Sequence, residues 1–188
     1  MFKKAEEVNH LKFRLENRSV TRGERIATGY YPLAEDAALT VLFDMTITDY
    51  QGSGYGRTYK LISAYNNVLN VSGIRVGKYR AADSTTSVWF NSSSTYYVIP
   101  QSWANNYRHK IAVTHEAGSD TLYVEYRREG KTAHSLTVTN TFTADTAGQL
   151  FFGGGENNDN SLPTGVINLA EVYDVVLPAE DITSFLTF

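Results

Sequence analysis

The strongest constraint on this chain is one run in which every second residue is apolar. Leu39, Val41, Phe43, Met45 and Ile47 alternate with Thr40, Leu42, Asp44, Thr46 and Thr48. A helix gathers residues three and four apart on one side; only an extended strand sorts a period of two onto opposite faces. The run predicts a long strand with one buried and one solvated face. The same rhythm holds Leu11, Phe13 and Leu15 apart from Lys12, Arg14 and Glu16. Shorter strands are expected near residues 59–65, 68–76, 87–90 and 96–99, each bounded by Gly, Asn, Ser or Asp. Beyond them Ile111 and Val113 alternate with Lys110 and Ala112. A turn at 117–120 then leads to Leu122, Val124 and Tyr126, and a second at 129–131 leads to a strand over 135–142. Two hairpins in series make a meander. Short strands at 149–152 and 166–176 complete the set, with a polar Gly-rich loop at 153–164 between them. Helical signals are confined to 178–186, where Pro178 precedes Glu180 and Asp181. The expected class is all-β, a two-sheet antiparallel jelly-roll β-sandwich with a short C-terminal helical turn.

Composition narrows the partners. With 188 residues and 42% hydrophobic residues, the chain can bury one sizeable core. A net charge of −3 offers no attraction to nucleic acid or to an anionic membrane. There is no cysteine, so disulfides, zinc thiolates and cysteine nucleophiles are excluded. No apolar run approaches the roughly 20 residues of a membrane span. The start of the chain is charged on both sides of Ala5 and does not read as a signal peptide. Residues 1–10 read as an N-terminal extension or linker and 11–188 as one domain.

Two segments carry a family resemblance. Arg108-His109-Lys110-Ile111-Ala112-Val113-Thr114-His115, followed by Leu122-Tyr123-Val124-Glu125, resembles a strand pair of the laminin-G-like, concanavalin-A-like jelly-roll superfamily. The stretch 165–182, with Val172-Tyr173-Asp174 and Leu177-Pro178-Ala179-Glu180-Asp181-Ile182, resembles that superfamily's closing strand. Leu150-Phe151-Phe152-Gly153-Gly154 is similar to the strand end that precedes it. Residues 26–32 and 38–45 resemble, more loosely, the start of laminin-G-like domains of phage tail and adhesion proteins. Arg108 stands where many members have Trp, and Tyr126-Arg127-Arg128 where they turn at Asp-Gly. The resemblance implies a single laminin-G-like jelly-roll domain over 11–188, and an extracellular or virion-surface setting.

Carboxylate spacing bears on catalysis. A retaining glycosidase needs two carboxyls about 5 Å apart, and on one strand these stand at i and i+2. Asp44 and Asp49, and Glu171 and Asp174, have odd spacing and face opposite ways along their strands. Glu180 and Asp181 fit dipole compensation in a helical turn. The sequence carries no paired-carboxylate motif, so the chain is expected not to be an enzyme. His115, on the face of Ile111 and Val113, reads as a hydrogen-bonded strand-end histidine.

The loops carry the binding candidates. Sugar C–H faces stack on aromatic rings while amides and acids bind hydroxyls. Trp103 with Asn105 and Tyr107, Tyr55 in its Gly-rich loop, and Asn157 and Asp159 are the ligand-binding candidates. Glu156, Asp159 and Asn160 are an oxygen-rich set that suits Ca²⁺. The leading expectation is a non-catalytic carbohydrate-binding or host-attachment module of a phage virion, tail or bacterial surface protein. Its partner would be a glycan or cell-surface polysaccharide, with no nucleic acid and no membrane insertion. One alternative is a structural oligomerisation domain that packs against itself or neighbouring subunits, for which the 13 tyrosines argue. The other is a polysaccharide hydrolase or lyase.

Overall fold

The computed structural model describes residues 9–30, 38–49, 59–64, 74–78, 85–90, 96–119, 121–139, 149–153 and 162–188. These residues form β1 (Leu11–Val20), β2 (Ile26–Ala27), β3 (Leu39–Asp49), β4 (Tyr59–Ala64), β5 (Ile74–Lys78) and β6 (Thr85–Phe90). They continue as β7 (Tyr96–Ser102), β8 (Tyr107–His115), β9 (Thr121–Arg128), β10 (His134–Thr139), β11 (Leu150–Phe152), β12 (Thr164–Tyr173) and the helix α1 (Ala179–Leu186). The first sheet has the order β1-β12-β3-β8-β9-β10 and the second β2-β11-β4-β5-β6-β7. Every strand pair is antiparallel.

The core lies between the sheets. Val41, Phe43, Met45 and Ile47 of β3 are wholly enclosed, as are Val172 of β12 and Val124 and Tyr126 of β9. Phe152 of the second sheet bridges the layers. Its ring stacks on Phe43 at 5.1 Å and tilts against Phe13 at 5.7 Å. Burying each such side chain contributes about 1.5–3 kcal/mol. Gly165 is required where β12 crosses β3: a Cβ there would lie 2.1 Å from the Thr46 carbonyl oxygen.

The expectation of one solvated face on β3 is corrected. Thr40, Leu42 and Asp44 on the outward face are buried too. Over Leu42 lies α1, which has Pro178 at its N-cap and places Glu180 and Asp181 in its first turn, where they complement the helix dipole. Its Ile182 and Leu186 pack with Leu42, Ala112, Tyr173 and Leu177 into a second, smaller core on the outside of the first sheet. Helix and sheet are laced together by Thr40, whose hydroxyl donates to the Val175 carbonyl and accepts from Leu177 N–H. Other boundaries also shift. β1 runs on to Val20, and β10 begins at His134, one residue earlier than expected; residues 68–73 and 140–142 of the expected strands lie outside the described residues. The tail of the last expected strand, after Tyr173, has left the sheet and turned toward α1.

Candidate functional site

One end of the inner face combines a rigid buried base with an exposed polar and aromatic rim. Strand alternation places Tyr107, His109, Ile111 and Val113 of β8 on the inner side, opposite Arg128, Tyr126 and Val124 of β9. His109 and Tyr126 are fully enclosed and Trp103 is 2% exposed. The His109 ring lies 6.2 Å from Trp103 and 6.0 Å from Tyr126. His109 Nε2 is 3.0 Å from the Ala104 carbonyl and Nδ1 is 2.6 Å from the Tyr126 hydroxyl. A carbonyl only accepts, so Nε2 carries the proton and Nδ1 accepts from the tyrosine. Burial pushes the imidazole down to about 4, with the Arg128 charge adding to the effect and the Ala104 bond opposing it. The ring is therefore a neutral strut that ties the 103–106 turn to β9.

That turn sets the rim. Asn106 adopts φ 64°, a left-handed conformation that asparagine tolerates better than most residues. Its N–H donates to the Ile47 carbonyl at 2.7 Å. The chain then enters β8 with Tyr107 at the edge of the core, 45% exposed, beside exposed Asn105. The Arg128 guanidinium lies 5.3 Å from the centre of the Tyr107 ring, a cation–π arrangement. Backbone bonding continues past the strand ends: Glu129 N–H donates to the Arg108 carbonyl, and Arg108 N–H to the Glu129 carboxylate. His134 of β10, paired with Tyr126, is half-buried on the same side. A flat ring, a guanidinium and an amide are thus grouped on a base that cannot easily shift. Such a group can stack on a sugar ring and bond to its hydroxyls or to a carboxylate.

The structure sorts the sequence candidates. Asn105 and Tyr107 come together at the rim. Trp103 is corrected: its ring is enclosed in the core beside His109 and offers no face to a ligand. A polar sequence neighbourhood disguised it, because Asn105, Asn106 and Tyr107 are exposed while Trp103 packs the sandwich end. Tyr55, Asn157 and Asp159 lie outside the described residues, as does the calcium set Glu156, Asp159 and Asn160. Among the described residues no three His, Asp or Glu side chains are gathered as metal ligands. His115 is 3% exposed and bonds through Nδ1 to the Thr121 carbonyl at 3.0 Å, as a satisfied strand-end histidine would. Arg128 was missed. Alternation carried two residues past Tyr126 would have put it on the inner side next to Tyr107.

Two carboxylates also share a face in a way that spacing along single strands did not reveal. Asp44 of β3 and Glu171 of β12 lie diagonally on the outward face of neighbouring strands, since Glu171 stands opposite Leu42. Each is engaged by its own arginine. Asp44 accepts from both Nε and Nη2 of Arg108 and from Asn168 Nδ2 at 2.9 Å. Glu171 accepts from Arg14 at 2.9 Å and from the Tyr173 hydroxyl at 2.8 Å. These donors fix both groups as structural anions of the sheet. No helix among the described residues is long and apolar enough to cross a membrane.

Two antiparallel six-stranded sheets in this order, with a helix on the outside of one, define a concanavalin-A-like jelly-roll sandwich. Solved structures share it at low identity. The CBM40 of the Ruminococcus gnavus IT-sialidase, bound to α2,3-sialyllactose, superposes with a TM-score of 0.66 at 11% identity, over 95% of this chain and all of that one. The leech intramolecular trans-sialidase gives 0.65 at 14% identity, over 95% of this chain and 28% of that one. A pentraxin from Limulus polyphemus gives 0.54 at 14% identity, over 94% and 76%. No family model and no curated protein matches the sequence.

Proposed function

We propose that this chain is a non-catalytic carbohydrate-binding module, and that Tyr107, Arg128 and Asn105 form the described part of its ligand surface. The reading rests on the exposed Tyr107 ring with a guanidinium beside it, held on the buried His109–Tyr126–Trp103 base. The fold supports it, being that of modules solved with sialyllactose. A guanidinium beside a stacking ring suits an acidic sugar, because Arg pairs a carboxylate through two parallel bonds. The ligand class is therefore a sialylated or otherwise carboxylated glycan. The sequence resemblance adds a setting for the module, an adhesion or virion-surface protein acting outside the cell.

Calorimetric titration with 3′-sialyllactose and with lactose tests this. Saturable binding of the sialylated sugar, weaker binding of lactose, and loss of both in Tyr107→Ala with an unchanged circular dichroism spectrum are expected. Removing a stacking ring and its cation–π partner should weaken binding at least about tenfold. No binding to any glycan on a broad array would overturn the proposal.

A further inference from the structure

Although the chain carries a net charge of −3, one corner of the first sheet is basic. Where β8 begins and β9 ends, the outward side gathers Arg108, Lys110 and Arg127, with Lys131 in the turn that follows. The register sets Lys110 directly opposite Arg127, and like charges so placed destabilise a sheet. Burial pushes the Lys110 ammonium down from its ordinary value; Asp44 opposes this, and the Arg108 and Arg127 charges add to it. Arg127 Nε donates to the Lys131 carbonyl, which brings the turn against the strand. Among the described residues two carboxylates bond into this group: Asp44 through the Arg108 guanidinium and Glu129 through the Arg108 N–H. Four cations against two carboxylates leave an excess of two, so the rest of a chain with net charge −3 carries −5.

The end of α1 explains part of this gathering. Lys110 donates to the Phe185 and Thr187 carbonyls, and Arg127 to that of Leu186. A helix C-terminus carries about half a negative charge, so more than one positive charge is left unanswered. The Phe188 ring centre lies 5.8, 4.7 and 5.6 Å from the cationic heads of Arg108, Lys110 and Arg127. Its π face attracts them but neutralises none. Lys131 is exposed and the Arg108 side chain is 41% exposed, so the excess faces water.

We infer that the glycan surface proposed above continues round the end of β9 onto this corner, and that its ligand is a linear glycan with acid groups on successive sugars. The inference rests on that earlier reading, because the chain is anchored at Tyr107 and Arg128. Neighbouring residues of a strand face opposite ways, so Arg127 and Arg128 put one guanidinium on each side of the sheet. A polymer passing the strand end meets Arg128 on the inner side, Lys131 at the turn, then Arg127 and Arg108 on the outer side. A single terminal acid is satisfied at Arg128 and leaves the outer cations crowded against one another. A chain of acids answers them in turn. The acidic remainder of the molecule repels such a polymer elsewhere and directs it to this corner. A nucleic acid is a less suitable polyanion, because its denser charge meets a chain that is negative overall.

Calorimetric titration of the full chain with α2,8-linked polysialic acid and with 3′-sialyllactose, each at low and moderate salt, tests the inference. The polymer should bind more tightly than the trisaccharide and weaken more steeply as salt rises. Arg127→Gln combined with Lys131→Gln should lower the polymer's affinity at least about tenfold relative to the trisaccharide's and flatten its salt dependence. Lys12→Gln, at the far end of β1, should do neither. If the double variant loses its circular dichroism spectrum, Lys131→Gln alone, in an exposed turn, should still flatten the salt dependence. Equal binding of polymer and trisaccharide, or a salt dependence untouched by these substitutions, overturns the inference and leaves the earlier reading standing. Binding of neither sugar overturns both. Tighter binding of single-stranded DNA than of polysialic acid would put a nucleic acid in the glycan's place, and overturns it as well.

Discussion

The two faces of the first sheet bury polar groups by opposite rules. At the end of the inner face the buried group is neutral: His109 sits among Trp103, Tyr126 and Ala104, both ring nitrogens bonded, with its proton affinity lowered by burial. On the outer face charged groups are buried as well. Asp44 and Glu171 each face an arginine that reaches solvent, and Lys110 donates to the Phe185 carbonyl at 2.6 Å at the end of α1. That helix has no basic residue in its last turn. The sheet supplies the cations instead, with Arg127 donating to Leu186 and Lys110 lying 4.7 Å from the centre of the Phe188 ring. The difference is one of thickness. Between two sheets no route to water exists, so a charge is too costly. Under a single helix long side chains keep their stems buried and their heads near solvent.

The largest test of this contrast is Trp103→Ala. It leaves a cavity between the sheets beside His109 and should cost about 3–5 kcal/mol in denaturant unfolding. A loss well under that would mean the ring is not part of the core, and the inner face would resemble the outer one.

Acid comes next. His109 is about 4 in the folded chain against about 6.5 when exposed, so the unfolded chain binds more protons between these values. Stability should be level above pH 6.5 and fall as pH drops toward 4, by about 3 kcal/mol from this residue. His109→Gln should flatten that part of the profile in thermal melts. A slope unchanged by the substitution would place the acid sensitivity on the outer face.

The smallest effect is expected from Lys110→Met. Methionine keeps most of the apolar stem, and the carbonyls freed at the helix end can turn to water. The cost should be about 1 kcal/mol or less in the same unfolding assay. Unfolding of α1, seen as lost helical dichroism, would show that the cation holds the helix rather than merely capping it.

Much of the fold was legible. Period-two alternation placed β3, β8, β9 and β12, because their inner residues meet the facing sheet and nothing else. β9 and β10 followed from a turn at Gly130, which takes φ 74°. The proposed site was half legible. Asn105 and Tyr107 could be chosen by residue type, since they lie in a turn and point outward. Trp103 could not be excluded, because the same turn sends Trp103 inward and leaves Asn105 and Asn106 exposed. Arg128 was hidden by a hairpin longer than the family pattern, although its parity with Tyr126 was in plain view. The Asp44–Arg108–Asn168 cluster was out of reach. Its members stand on three strands, with Asn168 124 positions from Asp44.

What the residues determined alone is which side of each strand is apolar, because a pleated backbone alternates its side chains whatever surrounds it. It follows that there are layers to bury and edges to guard. Tertiary structure decided what lies over each face: a second sheet inside, where burial holds His109 neutral, and one helix outside, where paired charges are buried. Solvent access depends on which distant segment arrives, and no local rule of sequence contains that.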